Sequence, residues 1–270
     1  MAFVHPSIRT PQSGFVLFSQ GAPAASQIAD ALRPEFGDAV EVRNLSVPGK
    51  GEIATVVVAV DAATALLGTN DAPLDTEPTL RACHPVWWQG ETAPVENHRS
   101  HVVLTVLHPG DKPAPRAQAI QESTVFSVVA TQLARIDGAV AVLSSNASTC
   151  FPADAYARAF TTAVEAREVP ADLWTSVWVL PEADGSHSAY TLGLDTFGHA
   201  DLVVEHSRRS PAELYGFVSD LARYVLTSGA VFEPGQTVGP TASEQRPLRA
   251  RHSSIHGREV LEIGDLPRAV

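Results

Sequence analysis

The sequence predicts an α+β protein, built from two ferredoxin-like β-α-β-type units that form a mixed, largely antiparallel sheet covered by helices. Three observations predict it. Apolar runs of strand length alternate with stripes of helical period. The strand runs come in neighbouring pairs parted by Gly or Pro, the mark of antiparallel partners. A strand-helix-strand-strand block stands at each end of the chain, around a central strand-helix-strand-helix block. The expected halves are 14–110 and 111–270, packed into one compact unit.

The elements follow in order. Residues 14–19 (GFVLFS) read as a buried first strand, broken by Gly21 and Pro23. Residues 24–36 place Ile28 and Leu32 on one helical face, closed by Gly37. Residues 39–45 alternate like a half-buried strand. A turn at Pro48, Gly49 and Gly51 leads into strands over 53–60 and 64–68. Residues 71–99 hold four prolines and the pair Trp87-Trp88. Short helices are expected near 77–83 and 93–98, over a sheet edge or along a groove.

Residues 101–107 (HVVLTVL) are a strand, and 109–115 a loop. Residues 116–136 are a long helix with Phe126, Val129, Leu133 and Ile136 as its stripe. Val125 and Val128 widen that stripe, so burial on more than one side is expected. Gly138 ends the helix and 139–143 (AVAVL) form a strand. A helix after Pro152 shows Tyr156, Phe160 and Val164 on one face. Residues 174–180 (WTSVWVL) are apolar on both faces, so they read as a central strand with Trp174 and Trp178 on one side. Asp184-Gly185 marks a hairpin, and strands over 188–194 and 202–205 flank the Gly198 turn. Ser210-Pro211-Ala212-Glu213 is a helix-start signature: Ser210 caps and Glu213 reaches back. Leu214, Phe217, Val218, Leu221 and Val225 form its expected buried face, and Gly229 its stop. A terminal hairpin over 246–251 and 259–263 closes the chain.

Composition bounds the function. Hydrophobic residues are 44% of the 270 and charged residues 18%, which supports a sizeable core. The formal net charge is −11, and an acidic surface repels phosphate backbones, so no nucleic-acid partner is expected. The arginines at 246, 249, 251 and 258 read as a solvated strand face. No run is long enough to span a bilayer and no apolar signal core opens the chain, so a cytoplasmic location is expected and no membrane partner. The two cysteines, Cys83 and Cys150, form no CxxC pair and read as inert core thiols. No GxGxxG turn, Walker A loop, GxSxG elbow or HExxH helix occurs.

The run A-C-H-P-V-W-W, the step N-H-R-S-H-V-V-L-T-V, the turn T-L-G-L-D-T-F-G, the strand D-L-V-V-E and the closing P-G-Q-T-V-G stand in that order. Together they resemble domain-of-unknown-function family 4261, over roughly residues 14–239. Members of that family are bacterial, which the resemblance implies for this chain. The family brings no accepted catalytic residues. The second tryptophan, Trp88, and the tail after Gly239 depart from its pattern.

Three constellations are candidates for a site. His98 and His101 stand three apart and could share a metal with Cys83 and His84 nearby, but a strand starts at His101 and should turn the rings apart. No bound metal and no cofactor are therefore expected. Asp195 and His199, with Asp201, Glu205 and His206, flank a glycine turn and could form an acid/base pair; they are also ordinary hairpin residues. Trp87 and Trp88 lie in the irregular segment, where at least one indole should stay accessible and serve recognition. The favoured function is non-catalytic: an accessory or immunity-type protein that binds a protein partner or itself. The alternative is a small-molecule hydrolase acting through His98 and His101 or through Asp195 and His199.

Overall fold

The computed structural model describes residues 3–6, 11–47, 51–60, 63–107, 115–239 and 241–264. The turn expected at Pro48-Gly49 and most of the loop over 109–115 lie outside them. The chain divides into two compact units, 9–174 and 1–8 with 175–270. The division expected near residue 110 thus falls after Trp174, because the strands on both sides of residue 110 pair into one sheet.

The larger unit runs β1 (Gln12–Phe18), α1 (Ala25–Phe36), β2 (Val40–Val47), β3 (Gly51–Val60), β4 (Ala63–Asn70), α2 (Thr76–Arg81), α3 (Pro85–Trp88), α4 (Ala93–Glu96), β5 (Ser100–Leu107), α5 (Arg116–Ala134), β6 (Ala139–Ser144), β7 (Thr149–Pro152), α6 (Ala153–Ala166) and α7 (Ala171–Trp174). Its strands form one sheet in the order β2-β3-β4-β5-β1-β6-β7, antiparallel throughout. β5 and β6 both pair with β1, so they run the same way with β1 between them, and α5 carries the chain from one to the other. β1 is therefore central: Val16, Leu17 and Phe18 are all buried. β2 is an edge strand and is exposed from Glu41 to Ser46, not half-buried as its alternation suggests.

The two faces of β1 receive different partners. Gly14 faces α5, where a Cβ would sit 2.2 Å from the Leu143 carbonyl oxygen and 2.7 Å from the Phe126 ring. Only a glycine permits that approach. Phe15 and Leu17 turn the other way, into a cluster with Trp88, Val95, Ala141 and Cys150. α5 is buried on several sides, as its wide stripe predicts. Its Ser127 hydroxyl accepts hydrogen bonds from Tyr156 (3.0 Å) and from the Trp174 indole (2.9 Å). Burial pushes the Tyr156 phenol up, which keeps it a donor. Val164, expected on the buried face of α6, is exposed. α3 and β7 are too short for periodicity to disclose.

The smaller unit runs β8 (Ser176–Pro181), β9 (His187–Leu192), a 3₁₀ turn at Leu194–Phe197, β10 (Leu202–Ser207), α8 (Pro211–Ser228), β11 (Thr237–Val238), β12 (Arg246–Ser253) and β13 (Arg258–Ile263). Its sheet order is β11-β12-β13-β10-β9-β8. β10 and β13 are parallel and the other pairs antiparallel. The α+β class holds, but two sheets replace the single sheet expected. Among the described residues this unit has one α-helix, where a ferredoxin-like unit has two. β8 lies at the sheet edge, not in its centre, and Trp174 ends α7 rather than sharing a strand face with Trp178.

α8 begins as its signature predicts. The Ser210 hydroxyl accepts from the Glu213 N–H, and the Glu213 carboxylate accepts from the Ser210 N–H at 3.0 Å. Gly229 closes the helix at φ 73°. Its buried face is Leu214, Phe217, Val218, Ala222, Val225 and Leu226. Leu221 is only half-buried, because Ala222 takes the inward position at that turn. The arginines expected on a solvated face divide: Arg246 is buried with its guanidinium 4.9 Å from the Phe217 ring centre, and Arg251 pairs with Glu205.

Candidate functional site

The Trp87-Trp88 pair lies on α3, a single turn that follows the buried His84. The His84 Nδ1 accepts from the Val86 N–H at 3.3 Å, and Pro85 occupies the first helical position. Gln89 ends the turn in the left-handed region at φ 47°. Trp88 is buried and donates its indole N–H to the Cys150 carbonyl at 2.7 Å. Trp87 is partly exposed and meets Phe151 edge-on, ring centres 5.2 Å apart. Both indoles line a groove of about 560 Å³ with Glu91, Pro94, Pro152 and Arg158. Arg158 forms an ion pair with Asp154, one helical turn before it at the start of α6. The groove lining thus combines indoles and prolines with side chains of both signs of charge.

His98 and His101 clamp backbone. The His98 Nδ1–H donates to the Val95 carbonyl at 2.5 Å, and its Nε2 accepts from the Leu74 N–H at 2.8 Å. That pair of bonds fixes the neutral tautomer. The His101 Nδ1–H donates to the Ala72 carbonyl at 2.8 Å. Burial holds the His101 imidazole below the usual histidine range, against the opposing effect of the Ala72 bond. The two rings therefore bind the segment from Ala72 to Leu74 down onto β5 and α4. Among the described residues no three His, Cys, Asp or Glu side chains gather where a metal could sit.

Asp195 and His199 do not meet as an acid/base pair. The His199 Nδ1–H donates to the Ala200 carbonyl at 2.6 Å, and its Nε2 accepts from the Phe232 N–H at 3.1 Å. His5 packs on it, ring centres 4.9 Å apart, with the His5 Nδ1 accepting from Ala200 and its Nε2–H donating to Phe232. Asp195 instead joins a charged cluster. Arg258 donates to Asp195 at 2.5 Å and to the fully buried Asp201 at 2.7 Å. The Asp201 Oδ1 also accepts from the Thr191 hydroxyl and the Leu194 N–H. Burial pushes the Asp201 carboxyl up to about 6, with Asp195 adding to the rise and His256 and Arg258 opposing it.

His256 completes the cluster. Its Nε2–H donates to the Thr191 carbonyl at 2.8 Å, and its Nδ1 accepts from the Ser253 hydroxyl at 2.8 Å. A hydroxyl on an imidazole is the arrangement of a nucleophile and its base. Here the imidazole is wholly enclosed, and Ser253 also accepts from the His256 N–H, so the pair pins the turn between β12 and β13. Sequence reading placed Arg258 on a solvated face and missed Ser253 and His256 entirely. The participants come from β9, the 3₁₀ turn, β12 and β13, and no spacing in the chain announces them.

The cysteines read as core thiols both touch the cluster around Leu17 and Trp88. Cys83 and Cys150 face each other across a parallel β-bridge, with the Cys150 N–H donating to the Ala82 carbonyl at 2.8 Å. Both are free thiols; Cys83 is partly exposed and Cys150 buried. They are 67 positions apart, so only the sheet brings them together.

Residues 190–264 match the family described as Domain of unknown function (DUF4261). The match covers the glycine turn, β10, α8 and the terminal hairpin, and hence the whole Asp195–Asp201–His256–Arg258 cluster. It extends beyond Gly239, and the Trp87-Trp88 and His98-His101 segments lie outside it, so the resemblance read over 14–239 narrows to this part. No curated protein and no solved structure matches the chain.

Proposed function

We propose that this chain, whose residues 190–264 match the DUF4261 family, is a non-catalytic binding protein. The observation that carries this reading is the groove at Trp87. A partly exposed indole beside a buried one, with Pro94, Pro152, Glu91 and Arg158 lining the same groove, suits an apolar or aromatic side chain of a protein partner. An indole offers large apolar area with little rotamer freedom to lose. The role is that of an accessory or immunity-type protein in a bacterial cytoplasm.

The hydrolase reading receives no such support. His98, His101 and His199 hold backbone groups, and Asp195 is held by Arg258.

The test compares wild type with Trp87→Ala in cross-linked capture from bacterial extract and in sedimentation of the purified protein. The variant should keep its helical and strand circular dichroism. Recovery of a specific partner, or the self-association constant, should fall by more than about fivefold, which corresponds to a loss above about 1 kcal/mol. Equal capture and equal association by both proteins would remove the groove from the account.

A further inference from the structure

We infer that Cys83 and Cys150 form a thiol–disulfide exchange site, in which Cys83 attacks a low-molecular-weight disulfide and Cys150 resolves the adduct into an internal bond. The backbone sets this up. Neighbouring strands lie about 4.7–4.9 Å apart, within the about 4.4–6.8 Å at Cα that a disulfide spans. The pair is tied at that spacing by the Cys150 N–H bond to Ala82, and the thiols are close enough to hydrogen-bond to each other. No rearrangement of strands is needed to join them.

The two sulfurs have unequal environments, which assigns the roles. Cys83 is partly exposed at the surface end of the bridge, whereas Cys150 lies in the cluster with Leu17, Trp88, Val95 and Ala141. The hydrogen bond from Cys150 holds the Cys83 thiol below the usual range, against burial and the charge of Glu96. The same contact, then burial, holds Cys150 well above it. A low, accessible thiol attacks and a high, buried one resolves.

The chemistry balances with a disulfide RSSR as oxidant. Cys83 loses its proton to solvent, and its thiolate attacks one sulfur of RSSR. The S–S bond breaks, and RS⁻ leaves and takes a proton. Cys150 then gives up its proton as its sulfur attacks the Cys83 sulfur, and a second RS⁻ leaves and is protonated. Two protein thiols have lost two protons and two electrons, which end in two RSH molecules.

The bond would act on α3. Cys83 adjoins His84, which opens that turn, and Trp88 at its far end already hangs on the Cys150 carbonyl. A covalent link would fix both ends of α3 to β7. The exchange itself requires no partner, so it stands or falls apart from the groove reading.

The experiment treats the full-length protein with oxidised glutathione and follows it by mass spectrometry with peptide mapping. Wild type should lose both free thiols, keep no glutathione, and yield a peptide linking Cys83 to Cys150. Cys150→Ser should retain one glutathione on Cys83. Cys83→Ser should react at least about tenfold more slowly, since its remaining thiol is buried and of high pKa. A glutathione adduct that persists on wild-type Cys83, first labelling at Cys150, or linkage only between molecules would overturn the proposal. Dithiothreitol should restore both thiols, and failure to do so counts against exchange.

Discussion

The Trp88 indole N–H and the Cys150 carbonyl meet at 2.7 Å, 62 positions apart in the chain, with both residues buried. This bond ties α3 to β7 and turns the Trp88 ring inward while Trp87 stays at the groove. One turn of helix thereby holds two neighbouring indoles in different environments.

Replacing Trp88 with Phe should keep most of the ring's packing and remove the donor. The Cys150 carbonyl then loses its indole donor, at a net cost of about 0.5–1.5 kcal/mol. Trp88→Ala should cost about 3–5 kcal/mol, because the ring's buried volume is lost as well. Urea unfolding measures both, and a Trp88→Phe protein as stable as wild type would show that the bond is worth nothing.

Gly14 and Gly216 should respond to alanine with opposite signs. At Gly14 the new Cβ meets the Leu143 carbonyl oxygen and the Phe126 ring, so β1 must part from both β6 and α5. Overpacking of that kind costs about 1–3 kcal/mol. At Gly216, inside α8, the Cβ meets nothing within 4 Å. There alanine should gain up to about 1 kcal/mol of helix propensity. Melting temperatures decide it, and a fall in both or a rise in both contradicts the packing described.

Asp201 should make stability depend on pH in a defined window. Its carboxyl is raised from 3.8 to about 6 in the fold, so the folded chain binds the proton more tightly than the unfolded one. Its contribution is fully present below pH about 4 and is lost as pH rises through about 6. Asp154 and Glu213 are lowered by their bonds to Arg158 and Ser210 and act in the opposite direction. The clean observable is therefore the stability of wild type minus that of Asp201→Asn. That difference should decline between pH 4 and pH 6.5; a flat profile would mean that Asp201 titrates normally.

Ser210→Ala should lower stability by about 1 kcal/mol through loss of the α8 cap. Ser210→Asp should retain most of it, since a carboxylate accepts the same N–H. Chemical denaturation of the two variants checks the ranking, and equal losses would assign the effect to something other than capping.

Local signals were legible and long-range ones were not. The Ser210–Glu213 box, the Gly229 stop, the terminal hairpin and the wide apolar stripe of α5 all lie within a few residues of what they control. α3 was not legible, because four residues show no period. The Leu221 assignment failed since a one-position rotation of α8 on its sheet exchanges it with Ala222. The aromatic groove was half legible: prolines around Trp87-Trp88 announced an irregular segment, but which indole faces outward depends on Cys150.

The sequence by itself determined the α+β class, most strands and helices, the α8 caps and the DUF4261 resemblance, though not its bounds. Each depends on periodicity or on hydrogen bonds between near neighbours, which are written in the order of the residues. Tertiary structure alone decided that two sheets form, that His98, His101 and His199 hold backbone rather than a ligand, and that Arg258 reaches both Asp195 and Asp201. It also brought Cys83 beside Cys150. Those contacts arise from strand pairing between distant segments, and the role of a titratable side chain follows from its final neighbours and burial, neither of which its position in the chain specifies.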